Sequence, residues 1–152
     1  MPESSVHVVD VYPYRLSSDR PEYLLLRRAT GTTYAGEWRM VGGKIKSSEA
    51  AWETARRELC EETGCTPLRF WTVPSVNSFY EWQADRVNLI PAFAAEISGD
   101  VGDIALDDEH DGHAWLPLDD AAERLGWPEQ ERLLRLTDRL LREGIPPDLV
   151  IE

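Results

Sequence analysis

Three glutamates, Glu58, Glu61 and Glu62, fall within five consecutive residues of a segment with helical periodicity. At about 100° per residue in an α-helix, their side chains fall within an arc of about 100°. Like charges on one face repel, and the helix dipole disfavours anions near a C-terminal end. Bound hard cations would make the arrangement favourable, because Mg²⁺ prefers oxygen ligands and combines a few carboxylates with waters and phosphates. A solvated acidic face is the alternative that the spacing leaves open.

A longer pattern encloses these glutamates. In chain order it consists of Gly43, five residues, Glu49, seven residues, Arg57-Glu58-Leu59, one residue, Glu61-Glu62, one residue and Gly64-Cys65. This pattern resembles the Nudix box of the Nudix hydrolases at every charged and glycine position. It departs mildly at Val41, where proline is frequent, at Ser48, where glycine is frequent, and at Cys65, where a larger aliphatic residue is usual. Seven fixed polar or glycine identities over 23 residues are far more specific than a short glycine-rich loop.

Weaker similarities to the same family lie outside the box. Trp38 stands ahead of the pair Gly42-Gly43, and Glu109-His110 precedes the run Trp115-Leu116-Pro117-Leu118. The tail GWPEQERLLRL is similar to the branch that acts on dATP and dihydroneopterin triphosphate. The resemblance implies an α+β protein with the Nudix-type α/β/α sandwich, in which a mixed β-sheet lies between helices. It also implies one domain over residues 1–152.

The resemblance further implies a reaction and a cofactor. The reaction is hydrolysis of a pyrophosphate linkage in a nucleoside diphosphate joined to another group, with Mg²⁺ required and Mn²⁺ as a substitute. A bound cation would neutralise phosphate oxygens, orient water and lower the pKa of that water. Candidate substrates are nucleoside triphosphates including damaged ones, dihydroneopterin triphosphate, dinucleoside polyphosphates and nucleotide sugars. A nucleoside triphosphate, or a related triphosphate such as dihydroneopterin triphosphate, is favoured.

Site residues follow from the resemblance position by position. The implied metal ligands are the carbonyl of Gly42 or Gly43 and the carboxylates of Glu58, Glu61, Glu62 and Glu109. The implied catalytic residues are Glu58, Arg57, Glu61 and Glu62, among which Glu58 is also a candidate water activator. The implied substrate contacts are Arg28, Lys44 and Trp38. Arg57 would pair with a carboxylate of the box and hold its rotamer, while Glu49 would brace the loop against the helix.

Several of these residues also have a plainer interpretation. Arg57 could be the surface partner of a glutamate one helical turn away, such as Glu61. Glu109 could be one of the solvated charges of an acidic loop. We do not expect His110 or His113 to be metal ligands, because Mg²⁺ avoids imidazole.

The aromatic residues are similarly open to two interpretations. Tyr80 or Trp82, like Trp38, could stack on a base or a pterin, although packing is the commoner fate of an aromatic residue on a strand. We expect Trp52 to lie in the core beside the apolar stripe of its helix.

The elements that position these residues follow from hydrophobic periodicity. Strands are predicted at residues 6–14, 23–26, 70–73, 77–82, 87–97 and 113–116, with Pro91 marking an edge or a bulge. Helices are predicted at 48–63, where Ala51, Ala55 and Leu59 recur, at 128–143, and at 119–125. Gly64 suits a left-handed helix end. Strands interleaved with a few helices predict a mixed sheet covered by helices.

Composition and charge exclude several classes of protein. The 152 residues, at 17.3 kDa, have the size of one ordinary domain. A net charge of −12 argues against binding duplex nucleic acid, which requires a cationic face. Two cysteines are too few for a disulfide scaffold, and we find neither a signal-peptide pattern nor an apolar run of about 20 residues. We expect a cytoplasmic monomer or homodimer that binds a small phosphorylated substrate and no membrane.

Three functions are compatible with these patterns. The favoured one is a Mg²⁺-dependent Nudix pyrophosphohydrolase. The second is a non-catalytic Nudix domain that binds a nucleotide-like ligand as a sensor or scaffold, and the intact glutamates argue against it. The third is an acidic metal-binding module without a phosphate substrate. Gly42, Gly43, Lys44 and Arg28 argue against this third function, because they add backbone and cationic donors beside the acids.

Overall fold

The structure, a computed structural model, describes residues 1–17 and 20–152. Its strands are β1 (Glu3–Ser5), β2 (Val8–Ser17), β3 (Arg20–Arg28), β4 (Trp38–Arg39), β5 (Val41–Lys44), β6 (Arg69–Glu81), β7 (Arg86–Glu96) and β8 (His110–Leu116). Its helices are α1 (Ala51–Thr63), α2 (Leu118–Arg124) and α3 (Pro128–Glu143), and a 3₁₀ turn follows at Pro147–Leu149. Within the described residues, no helix is long and apolar enough to cross a membrane.

The sheet is mixed, as predicted. One edge of β7 pairs with β6 in antiparallel fashion, and the other edge pairs in parallel with β1 over residues 86–88 and with β2 over residues 92–96. β2 also pairs with β3 and β5, and β3 in turn pairs with β4 and β8, all antiparallel. β2 therefore connects the long hairpin β6–β7 to the remaining strands, and β5 hydrogen-bonds directly to it.

Helices cover both faces of this sheet. Side chains alternate along β2, so Val9 and Val11 point to one face while Tyr12 points to the other. The first two pack in a core cluster with Leu59 of α1, whereas Tyr12 packs in a cluster with Leu133 of α3. The predicted α/β/α sandwich is confirmed.

The hairpin β6–β7 departs from the predicted strand boundaries. The segments 70–73 and 77–82, predicted as two strands, belong to the single strand β6, whose register shifts between Thr72 and Val76. Pro91 of β7 pairs with Val76 at the margin of that irregularity. The edge or bulge predicted at Pro91 thus corresponds to an irregularity beside it, whose extra residues lie on β6. Sequence periodicity missed β1, β4 and β5 because two to four residues carry no measurable alternation.

Helix α1 begins at Ala51, three residues later than predicted. The carboxylate of Glu53 accepts a hydrogen bond from the Ala50 N–H at 2.9 Å, which fixes the first turn. Gly64 ends the helix in the left-handed conformation, with φ of 74°, as predicted. The prediction that Trp52 lies in the core is wrong, because its side chain is 40% exposed and carries Arg56 over its ring. Trp52 points about 100° away from the buried stripe of Ala51, one residue earlier.

Candidate functional site

The glutamates of α1 meet the sheet at β5. Gly42 pairs with Asp10 of β2, and Gly43 pairs with Val9. A Cβ atom at Gly43 would overlap the side chain of Glu58. The absence of a side chain at Gly43 therefore lets Glu58 lie directly against the backbone of β5, which brings a carboxylate to the two glycines.

Glu62, one helical turn beyond Glu58, is buried in the same place. Its Oε2 accepts a hydrogen bond from the Gly42 N–H at 3.3 Å, and its Oε1 lies 3.3 Å from Nε2 of His110. Burial, and next the charge of neighbouring Glu58, raise the pKa of Glu62 well above its usual value. Two carboxyl groups are thus crowded together at this point.

Arg57 joins the loop after β5 to helix α1. Its Nε and Nη2 donate to both carboxylate oxygens of Glu49, at 2.7 and 2.9 Å. Its Nη1 donates to Glu58 at 2.8 Å and to Glu61 at 3.2 Å, and its Nη2 reaches the Lys44 carbonyl at 3.1 Å. The contact with Glu61 is one of several, so Arg57 is not the isolated surface partner of the plainer interpretation. The network fixes the rotamer of Glu58.

Arg57 also makes Glu49 unusually acidic, which gives a testable pH dependence. Hydrogen bonds from Arg57 lower the pKa of Glu49 from 4.5 to about 2. Because the pKa is lowered in the folded state, this pair stabilises the fold fully above about pH 4.5, and the contribution is lost as the pH falls toward about 2. We expect Glu49→Gln to lower Tm at neutral pH and to flatten the decline of Tm across that window.

Circular dichroism melts at stepwise pH values measure this effect. The matched control is Glu123→Gln, which changes an exposed glutamate of α2 and should retain the wild-type decline. A Glu49→Gln protein whose Tm declines as steeply as that of the wild type would contradict the assignment.

The donor set around Glu58 and Glu62 suits a hard divalent cation. The carboxylates of Glu58 and Glu62 are close enough to repel each other, and they lie beside the backbone of the double glycine. Mg²⁺ prefers oxygen donors of this kind. The structure does not bring every predicted ligand to this point. Glu61 is half exposed and directed to Arg57, while Glu109 is 61% exposed and lies 3.4 Å from an Arg28 nitrogen.

No group of three acidic, histidine or cysteine side chains forms a complete metal-binding cluster among residues 1–17 and 20–152. Of the predicted carboxylate ligands, Glu58 and Glu62 are therefore the two that lie together beside Gly42 and Gly43. Cys60 and Cys65 are both free thiols, the first exposed and the second buried.

A cavity of about 400 Å³ opens beside Glu62. Arg28 and Lys44, two of the predicted substrate contacts, line it together with Gly42 and Gly43. Arg28 is positioned by the Thr33 carbonyl, which accepts a hydrogen bond from its Nε at 3.0 Å. Two cationic side chains and the carboxylate Glu62 thus border one space.

Arg39 is a third cationic residue of this cavity that sequence analysis missed. Its guanidinium carbon lies 3.7 Å from the centre of the Tyr34 ring, and Tyr34 lines the same space. The Nε atom of Arg39 is buried and has no hydrogen-bond partner among the described residues. The guanidinium thus lies at the cavity with one donor that no described side chain accepts, while its Nη2 lies 3.6 Å from a carboxylate oxygen of Glu37.

Trp38, the predicted ring contact, does not line the cavity. Its ring packs between the guanidinium groups of Arg27 and Arg124, 5.6 and 5.1 Å from the ring centre. It rests on the core cluster beneath α2 and α3. The structure thus gives Trp38 a packing role in place of the predicted substrate contact.

Other aromatic residues take that place. Tyr80 and Trp82 are exposed, with 55% and 74% of their surfaces accessible, and neither lines the cavity. Phe79 and Trp127 do line it, and their rings meet edge to face with centres 4.9 Å apart. Side chains alternate along β6, so Phe79 points to the face opposite that of its neighbour Tyr80. This explains why Phe79 and not Tyr80 lines the cavity.

His110 belongs to the site although we did not expect it to bind metal. It is buried, its Nδ1 lies 2.7 Å from Oδ1 of Asp107, and its Nε2 faces Glu62. The imidazole therefore links the acidic loop to the buried glutamate. In the sequence, the adjacent Glu109 marks the same loop.

The floor of the cavity contains polar residues that sequence analysis also missed. Nδ2 of Asn77 donates to Oδ2 of Asp10 at 2.9 Å, and Nε1 of Trp127 donates to Oδ1 of Asn77 at 3.1 Å. Asp10 is the only charged residue in the run 8–14, VVDVYPY. A charge that interrupts an otherwise apolar strand was the available signal, because a buried strand rarely carries an unpaired acid.

The arrangement of box, sheet and helices can be compared with known families. A family model described as "NUDIX domain" matches residues 6–137. The chain belongs to the NUDIX domain family. Among solved structures, this Nudix domain is similar to a C. elegans Ap4A hydrolase in a binary complex, with a TM-score of 0.75, 22% identity and 90% and 98% of the two chains covered. It is also similar to the Nudix domain of Shewanella oneidensis NrtR complexed with ADP ribose, with a TM-score of 0.70, 19% identity and 93% and 89% coverage. These likenesses establish the Nudix fold.

Two curated relatives match about two thirds of this chain. An 8-oxo-(d)GTP phosphatase of Mycolicibacterium smegmatis is 32% identical over 99 residues, which are 65% of this chain and 29% of the relative. The chain thus spans less than a third of that relative's length. The nucleoside triphosphatase NudI of Salmonella newport is 27% identical over 108 residues, which are 66% of this chain and 76% of the relative.

Proposed function

We propose that this Nudix domain is a Mg²⁺-dependent pyrophosphohydrolase. Its substrate is a nucleoside triphosphate or a related triphosphate such as dihydroneopterin triphosphate, and residues 1–152 act as one domain, as a monomer or homodimer. The observation that carries the proposal is the composition of one cavity. The carboxylate of Glu62 and cationic side chains line it, Glu58 packs against its lining residue Gly43, and aromatic rings complete the lining, which suits a molecule with a polyphosphate and a ring system.

The residues of the phosphate end have separable roles. Glu58, Glu62 and a backbone carbonyl of Gly42 or Gly43 would hold the cation, with Glu61 and Glu109 as the exposed members of the ligand set. When bound, the cation supplies charge neutralisation at the phosphate oxygens and makes a bound water more acidic.

Proton transfer is best assigned to Glu58. Glu62 is buried between the Gly42 N–H and His110, which suits it to hold the cation. Glu58, held in position by Arg57, then accepts the proton of the attacking water. Arg28 and Lys44 bind the phosphate oxygens, since they line the cavity beside Glu62.

The ring end supports the choice of substrate class. Phe79, Trp127 and Tyr34 offer aromatic surfaces for a planar ring system. The activities named for the two curated relatives, on 8-oxo-(d)GTP and on nucleoside triphosphates, agree with this assignment.

A release assay tests the proposal. Deoxynucleoside and ribonucleoside triphosphates, 8-oxo-dGTP, dihydroneopterin triphosphate, Ap4A and ADP-ribose are each incubated with the protein, with Mg²⁺, with Mn²⁺ or with EDTA. We expect release of pyrophosphate or monophosphate from a triphosphate, abolished by EDTA. Nucleotide binding without release would favour a sensor, and neither binding nor release would favour an acidic metal-binding module.

A further inference from the structure

Asp10 is a buried acid whose environment is unusual. Its side chain is almost inaccessible, and no cationic group lies within ion-pair distance of it among the described residues. Burying a carboxyl group without a cation is costly unless hydrogen bonds compensate. Burial raises the pKa of Asp10, while hydrogen bonding from Asn77 and Gln130 and the charge of Arg39 oppose that rise. Since Asp10 lines the cavity, a ligand can reach this acid.

The direction of the hydrogen bonds at Asp10 follows from two groups that can only donate. The indole Nε1–H of Trp127 donates to Asn77, so the Asn77 oxygen faces Trp127 and its amide nitrogen faces Asp10. The backbone N–H of Met40 donates to Oε1 of Gln130 at 3.2 Å, which leaves the Gln130 nitrogen as a donor beside Asp10. Asp10 is therefore the terminal acceptor of both chains.

The carboxylate retains acceptor capacity for a ligand. A carboxylate has about four acceptor positions; Asn77 occupies one with regular geometry, and Gln130 and Tyr12 supply two further donors, which leaves one position for a ligand. Oδ1 lies on the side of Gly42, where even a Cβ atom would stand only 3.4 Å away. Because Gly42 has no side chain, that oxygen is not covered from the strand beside it.

Arg39 supplies the complementary group. It lines the same cavity, and its buried Nε has no hydrogen-bond partner among the described residues. The lining of the cavity thus contains an acceptor, Asp10, and a donor, Arg39. Guanine has the matching edge, with adjacent N1–H and N2–H donors and O6 and N7 acceptors. Adenine instead presents an amino donor at position 6, where guanine has an oxygen.

We propose that Asp10 is a specificity-determining residue that, together with Arg39, selects a guanine-type ring by accepting a hydrogen bond from its N2–H group. This inference rests on the proposed function, because it assigns the base of the triphosphate that the cavity binds. The carboxylate that reads the ring comes from β2, next to the strand that carries the double glycine.

The test compares kcat/KM for dGTP and dATP in the wild type and in Asp10→Asn. A good pair of base contacts is equivalent to about tenfold discrimination, so we expect the dGTP preference to fall by about tenfold in the variant. Asp138→Asn is the matched control, because Asp138 is also a buried acid but bonds Tyr23 and Arg142 on the far side of the core. It should keep the wild-type dGTP-to-dATP ratio. An unchanged ratio in folded Asp10→Asn would overturn the proposal.

A second measurement needs no variant. ITP lacks only the 2-amino group of GTP, so the wild type should use GTP about tenfold better than ITP. Equal use of the two would overturn the proposal, as would a loss in Asp10→Asn of discrimination between GTP and dGTP, which would place the ribose at Asp10. If no triphosphate is hydrolysed, the proposed function fails, and the GTP–ITP comparison is made on dissociation constants. Equal constants would then overturn the inference separately.

Discussion

Exchange of Glu58 for glutamine is expected to lower kcat by about 10²-fold or more. The amide keeps the size and helix propensity of the side chain but removes the charge that holds a cation and accepts a proton. Glu58 also lies against Gly43 and receives a hydrogen bond from Arg57 at 2.8 Å, so no neighbouring acid can replace it without moving the network. The measurement is kcat at saturating substrate and Mg²⁺, together with a thermal melt.

The control for this variant is Glu53→Gln, on the same helix. Glu53 accepts a hydrogen bond from the Ala50 N–H, and a glutamine retains that acceptor. We expect Glu53→Gln to keep wild-type kcat and Tm. A kcat for Glu58→Gln close to that of Glu53→Gln would disprove the role of Glu58.

Gly43→Ala is expected to have an effect on kcat as large as that of Glu58→Gln, about 10²-fold. The added Cβ would overlap the Glu58 side chain, and that side chain is the flexible partner that must move. Because its far end can swing away while the backbone of β5 stays in place, Tm should change little. The variant thus separates displacement of the carboxylate from unfolding.

Gly102→Ala is the matched glycine control. A Cβ atom there meets nothing within 4 Å, so activity and Tm should both stay at wild-type values. If Gly43→Ala retained full activity, the close contact between Glu58 and β5 would be irrelevant to catalysis.

The phosphate end of the site could be predicted from the sequence because it is nearly continuous in the chain. Glu58 and Glu62 are one helical turn apart, and Gly43 lies on the strand that leads into their helix. Charge, helical periodicity and the glycine positions therefore all fall within one short window, in which local rules suffice. The sandwich itself followed from the same box and from the alternation of strands and helices.

The ring end could not be predicted in this way, because its residues come together only through long-range pairing. Asp10, Asn77 and Trp127 belong to β2, β6 and the N-terminal end of α3. Their proximity depends on the register of β7 against both strands, which periodicity does not give. The place of Trp38 before the double glycine predicts a substrate contact, but the ring of Trp38 in β4 lies against Arg27 and Arg124.

Pro91 in β7 lies at the point where the long hairpin β6–β7 changes from one regularly paired part to another. β1 and β2 share one edge of β7 but leave residues 89–91 between them, and the opposite edge is irregular between Thr72 and Val76. Main-chain bonding is therefore weakest on both sides of the same point, and the outer half of the hairpin can open as a separate cooperative segment. Side chains fasten it there, among them Glu129 to the Ser78 N–H at 2.9 Å, Arg132 to the Val76 carbonyl at 2.8 Å and Asn77 to Asp10 at 2.9 Å. Asn77 and Phe79 belong to that segment, so we expect local opening to affect the ring end of the cavity before it affects the glutamates of α1.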